Sequence, residues 1–174
     1  MPRYHVLLTD YAWPDLKIER EILAGIDAEL VVAEKGKQDA ASLTELAKSK
    51  DVDAIMTNWA KVPKEVIAAA PKCRIVCRLG IGLDNIDVAH CTSQKIPVTN
   101  IPDYCLIEVA EHALALLLSL SRKVAFYHHE TKEGRYQLQS GPQLRRMEGQ
   151  TLASSGWETS AANSRKRPSA LDSR

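Results

Sequence analysis

Short apolar runs alternate with amphipathic stretches along residues 5–101 of the chain. The runs have the length of buried strands, and the stretches between them carry apolar residues at helical spacing. Because parallel strands need crossover connections, this alternation predicts an α/β fold with a parallel sheet covered on both faces. Right-handed crossovers then predict a flavodoxin-like, doubly wound, five-stranded unit. The predicted strands are 5–9, 29–33, 53–58, 74–79 and 97–101, and the predicted helices are 15–24, 42–47, 63–70 and 88–94.

The pattern changes after residue 102. Residues 108–124 read as a long helix whose apolar side chains surround most of its circumference. A helix that is apolar nearly all round needs cover on nearly all sides, so we expect a second domain or a second subunit to pack against it. The polar stretch 136–147 predicts a loop, and 153–174 has no periodicity and predicts an irregular, disordered tail.

Composition and charge exclude several classes of function. The chain has 174 residues, of which 45% are hydrophobic and 26% charged, as in ordinary globular proteins. Its formal net charge of +1 predicts no nucleic-acid or membrane-surface partner. Without an apolar window long enough to span a bilayer, or a basic-then-apolar leader, we expect a cytoplasmic protein. The cysteines and histidines show no ligand spacing, which predicts free thiols and no metal site.

The most distinctive stretch is RLGIGLDNID at residues 78–87, directly after the fourth predicted strand. Gly80 and Gly82 can adopt backbone angles closed to other residues. The N–H groups of Ile81 and Gly82, ahead of a predicted helix start, could therefore turn toward a carboxylate or a phosphate. Arg78 adds a planar guanidinium that matches a carboxylate. The alternative is a plain strand-to-helix turn whose glycines only provide clearance.

The position of this stretch favours the functional interpretation. Ligands of doubly wound sheets bind beyond the carboxyl ends of the strands, and the 78–87 stretch begins at such an end.

The sequence resembles the NAD-dependent D-2-hydroxyacid dehydrogenases over residues 4–152. Three runs carry the resemblance: RLGIGLDNID at 78–87, VTNIP at 98–102 and EVAEHALALLL at 108–118. Arg78 and the 136–147 insert point to the C-terminal-binding-protein-like or phosphoglycerate-dehydrogenase-like branch. The resemblance implies a flavodoxin-like substrate domain at 1–101, and at 102–152 a crossover helix with the entry to an incomplete Rossmann NAD-binding domain.

The same resemblance implies roles for four residues. The backbone of Ile81 and Gly82 would hold the substrate carboxylate beside the nicotinamide of NAD or NADP, which makes Ile81 a cofactor contact as well. Arg78 would be a second carboxylate contact, and Asn58 a weaker member of the pocket. The implied reaction is hydride transfer between the nicotinamide and C2 of a small 2-hydroxy or 2-keto acid. The predicted 108–124 helix would form a homodimer interface.

The chain departs from the family pattern after residue 152. Relatives continue into a strand and a G-x-G-x-x-G fingerprint, and their catalytic Arg, Glu and His lie still further on. We therefore assign no catalytic residue and expect an inactive fragment that does not bind NAD. A set of codons exists that encodes residues 153–161 and that, with one G added in front, reads Gly-Ile-Val-Gly-Leu-Gly-Asn-Leu-Gly in the shifted frame. On that basis we hypothesise that the 153–174 tail is frameshifted.

Two other functions fit a flavodoxin-like unit. A non-catalytic module that binds a carboxylate or a protein remains open as the alternative. A phospho-acceptor receiver is set aside, because Asn58 stands where a receiver needs a carboxylate at the end of the third strand.

Overall fold

The structure is a computed structural model that describes residues 2–136 and 141–153. Five strands and four helices alternate through the first hundred residues, and each end lies within two residues of its predicted position. Two further helices follow. The elements are β1 Tyr4–Leu8, α1 Lys17–Ala24, β2 Ala28–Val32, α2 Ala40–Ser49, β3 Ala54–Thr57, α3 Lys64–Ala68, β4 Val76–Arg78, α4 Val88–Ser93, β5 Val98–Thr99, α5 Leu106–Arg122 and α6 Val124–Lys132.

The strands form one parallel sheet in the order β2-β1-β3-β4-β5. This is the flavodoxin-like strand order, so the predicted fold class is confirmed. Since all five strands run the same way, their carboxyl ends lie along one edge of the sheet. That edge positions the site described below.

Alternate side chains of each strand enter two apolar clusters on opposite faces of the sheet, as the period of two requires. The larger cluster joins Leu7 of β1 to side chains of α2, α3 and α4, such as the fully buried Leu43. The smaller cluster contains Val6 and Leu8 of β1, which pack with Leu16 just before α1. A buried leucine of this kind contributes about 2 kcal/mol relative to an exposed one, and together these clusters hold the strand ends in register.

The helix predicted at 108–124 differs from the observed one at its end. Helix α5 ends at Arg122 because Lys123 adopts the left-handed conformation, with φ of 57°, and α6 begins directly after it. The prediction of one helix through residue 124 was therefore wrong, and α6 was missed. The apolar residues of α6 are confined to positions 124–127, so no helical period marks that segment, and the pattern does not reveal a single left-handed residue.

The chain divides into two compact units, Met1–Tyr104 and Cys105–Arg174. In the second unit several apolar side chains of α5 are exposed, among them Leu116 at 51% and Leu120 at 70%. The hypothesis of a frameshifted tail concerns residues that lie, from 154 onward, outside the described part of the chain.

The four cysteines are free thiols. Cys73 is buried, and this burial raises the pKa of its thiol to about 11, so it packs as a small apolar residue. Among the described residues, no helix has both the length and the apolarity to cross a membrane, and no cluster of acidic, histidine and cysteine side chains has the arrangement of a metal site.

Candidate functional site

Four polar side chains lie at the carboxyl edge of the sheet. Asp10 follows β1, Asn58 follows β3 directly, Arg78 is the last residue of β4, and Asn100 follows β5 directly. The parallel arrangement brings these positions to the same edge although they are far apart in the sequence. Two loops that start here, 58–60 after β3 and 80–82 after β4, form the body of the site.

The Asp10 carboxylate binds the backbone of the 58–60 loop. Its Oδ1 accepts the N–H groups of Asn58 at 3.0 Å and Ala60 at 3.1 Å, and its Oδ2 accepts that of Trp59 at 2.7 Å. The Thr9 hydroxyl donates a further bond to Oδ1 at 2.8 Å. Burial acts to raise the pKa of this carboxyl, but the loop amides and the Thr9 hydroxyl outweigh it and hold the pKa below its usual value of 3.8.

A carbonyl group of the 58–60 loop is also fixed by hydrogen bonds. The carbonyl of Ala60 accepts the Thr57 hydroxyl at 2.9 Å and the side-chain amide of Asn85 at 2.8 Å. The backbone carbonyl of Asn85 in turn accepts the N–H of Val62 at 2.7 Å. These bonds join the loop after β3 to the chain after β4, so the backbone beneath Asn58 is fixed from two directions.

In the 80–82 loop it is the carbonyl groups that are held. Gly80 O accepts the N–H of Ile101 at 3.0 Å, and Ile81 O accepts the side-chain amide of Asn100 at 2.8 Å. Gly82 O accepts Nε of Arg78 at 3.1 Å. Within the part of the chain that the structure describes, the N–H groups of Ile81 and Gly82 donate to no protein group.

The carbonyl contacts determine where those two N–H groups point. Every described peptide bond is trans, so each N–H is directed opposite to the carbonyl of the preceding residue. The carbonyls of Gly80 and Ile81 both point toward residues 100–101. The N–H groups of Ile81 and Gly82 therefore both point away from that segment, and successive amides on one side of the chain form a concavity suited to an anion. Both residues are exposed.

Arg78 and Asn58, predicted from the sequence as neighbours in a pocket, do lie together. Nη1 of Arg78 is 3.5 Å from Oδ1 of Asn58. The guanidinium also covers Gly80, since a Cβ added there would lie 3.2 Å from its central carbon. Gly80 thus gives the arginine the clearance to reach across the loop.

The prediction that Gly80 and Gly82 adopt backbone angles closed to other residues is wrong. Neither Gly80 nor Gly82 has a positive φ, so neither occupies a conformation closed to other residues. Gly80 provides clearance for Arg78, and a Cβ on Gly82 would lie 2.8 Å from Oδ1 of Asp84. At Gly80 the small residue therefore serves the close approach of Arg78, whereas at Gly82 an added Cβ would meet only the flexible end of the Asp84 side chain.

The helix predicted after this loop, at 88–94, begins where the sequence placed it. Helix α4 begins at Val88, well after Gly82, and has six residues. Its first turn is capped by Asp87, whose side chain accepts the N–H of His90 at 2.8 Å. Helix α4 therefore gives the 80–82 loop no N-terminal amides, and the N–H donors of the concavity belong to the loop itself.

The surroundings of the two free N–H groups combine charge with apolar surface. Arg78 brings a positive charge and Asp84, beside Gly82, a negative one. Ile81 is 40% exposed and Trp59 is 68% exposed. The arrangement can receive a small organic anion that has an apolar portion.

Three residues that help to shape the site were not predicted: Asp10, Asn85 and Asn100. For Asp10 and Asn100 the sequence does hold a signal, namely a polar residue just after an apolar strand in a fold whose strand ends share one edge. For Asn85 it holds none, because its bond to Ala60 joins two loops whose proximity only the folded sheet creates.

Comparisons with known proteins agree on one family. The family model described as the catalytic domain of D-isomer specific 2-hydroxyacid dehydrogenases matches residues 6–168. The D-3-phosphoglycerate dehydrogenase of Mycobacterium leprae is 48% identical over 81 residues, which are 46% of this chain and 15% of that protein. The glyoxylate reductase of Pyrococcus furiosus is 46% identical over 80 residues, 45% of this chain and 24% of that protein.

A solved structure is similar over nearly the whole chain. It is the NADPH-dependent glyoxylate/hydroxypyruvate reductase of Sinorhizobium meliloti in complex with NADP and malonate, with 29% identity and a TM-score of 0.77. The match covers 97% of this chain and 51% of that one. The chain thus spans about half the length of this structural relative and less of the two sequence relatives. These matches favour the dehydrogenase family over a non-catalytic binding module.

Proposed function

The chain belongs to the family of D-isomer specific 2-hydroxyacid dehydrogenases, and from this premise we propose that the edge formed by the 58–60 and 80–82 loops binds the carboxylate of a small 2-hydroxy or 2-keto acid. A glyoxylate/hydroxypyruvate reductase that is similar to this chain is NADPH-dependent, and the structure of a similar 3-phosphoglycerate dehydrogenase holds NAD+. The complete protein to which this chain corresponds would transfer a hydride between a nicotinamide and C2 of such an acid.

One observation carries the proposal: the two successive N–H groups of Ile81 and Gly82 point the same way and have no protein partner among the described residues. Hydrogen bonds from such donors to a carboxylate are charge-assisted and about twice as strong as neutral ones. Arg78, held by Gly82 O and near Asn58, would supply the second contact to the same carboxylate. Asn58 would orient the arginine or contact the acid.

The cofactor is proposed for the complete protein. NAD or NADP, when bound, supplies the nicotinamide that exchanges a hydride with the acid. Ile81, with its exposed apolar side chain beside the free amides, fits contact with the nicotinamide end. The 174-residue sequence holds no G-x-G-x-x-G run, so we expect the isolated chain neither to bind the dinucleotide tightly nor to turn over substrate.

Two further features are proposed on the same premise. The exposed apolar side chains of α5 support homodimerisation of the complete protein through that helix. A cytoplasmic location fits a soluble metabolic enzyme of this family, and we propose no nucleic-acid or membrane partner.

Titration of the 15N-labelled chain with pyruvate tests the carboxylate site. We expect the amide resonances of Ile81 and Gly82 and the Nε–H of Arg78 to shift, while the amide of the fully buried Leu43 does not. Methyl pyruvate, which lacks the carboxylate, is the matched control and should cause little change. Equal responses to the acid and its ester, or shifts confined to other residues, would contradict the proposal.

A further inference from the structure

The direction of the Gly82 N–H depends on a single side chain. The carbonyl of Ile81, on the same peptide, accepts the side-chain amide of Asn100 at 2.8 Å. Among the described residues, no other group donates to this carbonyl. The neighbouring Gly80 carbonyl is held differently, by the backbone N–H of Ile101 at 3.0 Å, and that bond does not depend on any side chain.

Rotation of the Ile81–Gly82 peptide is sterically possible because its second residue is a glycine. In a peptide flip, of the kind that converts a type I turn into type II, the residue after the peptide moves to positive φ. Glycine accepts positive φ without steric cost, so Gly82 permits the flip. In the structure Gly82 does not have a positive φ. Glycine adopts either sign of φ with similar ease, so the Asn100 bond to the Ile81 carbonyl favours the observed orientation.

We propose that Asn100 is a positioning residue, which holds the Ile81–Gly82 peptide in the orientation that presents Gly82 N–H to the substrate carboxylate. The inference rests on the proposed function for the ligand, but not for the orientation of the peptide in the free protein. Asn100 itself is exposed, so its replacement should leave the core and the fold intact.

The experiment compares the complete 174-residue chain with its Asn100→Ala variant. We expect the amide resonance of Gly82 to move in the free variant and pyruvate to bind about fivefold more weakly, the loss of one ordinary hydrogen bond. The midpoint of thermal unfolding should stay the same. An unmoved Gly82 resonance together with unchanged affinity would overturn the inference.

A second substitution separates positioning from a general loss of structure. In the background of Asn100→Ala, the change Gly82→Ala should restore affinity in part, because alanine resists the positive φ that a flipped peptide needs. The added Cβ would meet only Oδ1 of the exposed Asp84 side chain, which can move aside. A double variant that binds no better than Asn100→Ala would also overturn the inference.

A charge-matched comparison uses Gln94. Asn100→Asp removes the donor and adds a negative charge, and Gln94→Glu adds the same charge at the exposed end of α4. We expect weaker binding for the first change only. If the unmodified chain shows no response to pyruvate, the proposed function fails, whereas the Gly82 resonance of the free variants still decides the positioning role.

Discussion

The 58–60 and 80–82 loops leave neighbouring strands at the same edge of the sheet, yet their backbone N–H groups differ in hydrogen bonding. In the 58–60 loop all three N–H groups donate to one carboxylate, that of Asp10. In the 80–82 loop the carbonyls of Gly80, Ile81 and Gly82 are bound, and the N–H groups of Ile81 and Gly82 bind no described protein group. The N–H donors of the 58–60 loop are all used within the protein, whereas two N–H donors of the 80–82 loop have no partner among the described residues.

This difference indicates that the 58–60 loop stabilises the fold, whereas the 80–82 loop is available to bind a ligand. Asp10 shows that adjacent amides at this edge can hold a carboxylate with bonds of 2.7–3.1 Å. The 80–82 loop offers the same kind of donors to solvent, where a ligand can reach them. Substitutions in the first loop should thus affect stability, and those in the second should affect binding.

The largest expected effect is on stability, from Asp10→Asn. Asparagine has one acceptor oxygen and no charge, so it cannot reproduce the bonds to three amides. We expect the free energy of unfolding to fall by about 2 kcal/mol at pH 7, as for loss of charge-assisted hydrogen bonds. Urea denaturation measures it. As a comparison, Asp39→Asn should lower the free energy of unfolding by less. Asp39 lies at the exposed start of α2, where its carboxylate accepts hydrogen bonds from two backbone amides. An Asp10 variant as stable as the unmodified chain would remove the contrast between the loops.

The contribution of the Asp10 carboxylate to stability should depend on pH in a predictable direction. Folding lowers the pKa of Asp10 below 3.8, so its stabilisation is fully present above the ordinary pKa and is lost as the pH falls through the lower folded value. The stability difference between the unmodified chain and Asp10→Asn should therefore narrow below about pH 3.8. Denaturation curves between pH 7 and pH 3 provide the measurement. A difference that stays constant would contradict the assignment.

The next largest effect is on binding, from Arg78→Leu. Removing the guanidinium takes away a charged donor to the ligand and the bond to Gly82 O. We expect the affinity for pyruvate to fall about tenfold, with a smaller change in stability than for Asp10→Asn. Arg78→Lys keeps the charge but lacks the planar guanidinium, so its affinity for pyruvate should lie between those of the unmodified chain and Arg78→Leu. Equal affinity of the leucine variant and the unmodified chain would exclude Arg78 from the site.

Gly80→Ala should have a smaller effect that acts through Arg78. The new Cβ would lie 3.2 Å from the guanidinium carbon and force it to shift by a few tenths of an ångström. We expect pyruvate to bind about threefold more weakly, as one hydrogen bond is partly lost. Combining Gly80→Ala with Arg78→Leu checks the cause. If the glycine change costs as much without the arginine as with it, the clearance argument is wrong.

The smallest expected effect is a gain. Asp84 places a negative charge beside Gly82, and its neutralisation in Asp84→Asn should strengthen pyruvate binding about twofold at low ionic strength. Because both charges face solvent, the gain should largely disappear in 1 M salt, where the screening length is about 3 Å. Isothermal titration at the two salt concentrations measures this. A gain that survives high salt would point to a cause other than charge.

Several features were readable from the sequence because they depend on local chemistry. Five short apolar runs and the helical spacing between them led to the parallel sheet and its strand order, which the structure confirms. Arg78 and Asn58, which the family resemblance implied as members of one substrate pocket, lie 3.5 Å apart. Their role in binding a substrate stays a prediction, as do those of Ile81 and Gly82.

The sequence by itself determined the element types through residue 101, the fold class and the edge at which we expect a ligand to bind, since hydrophobic period and strand polarity are properties of the chain. Only the tertiary structure decided which backbone groups at that edge are used and which are free. Bonds from Asp10 to the 58–60 loop and from Asn100 to Ile81 join residues from different strand ends. No local pattern encodes such partners, because they become neighbours only when the sheet brings its strand ends together.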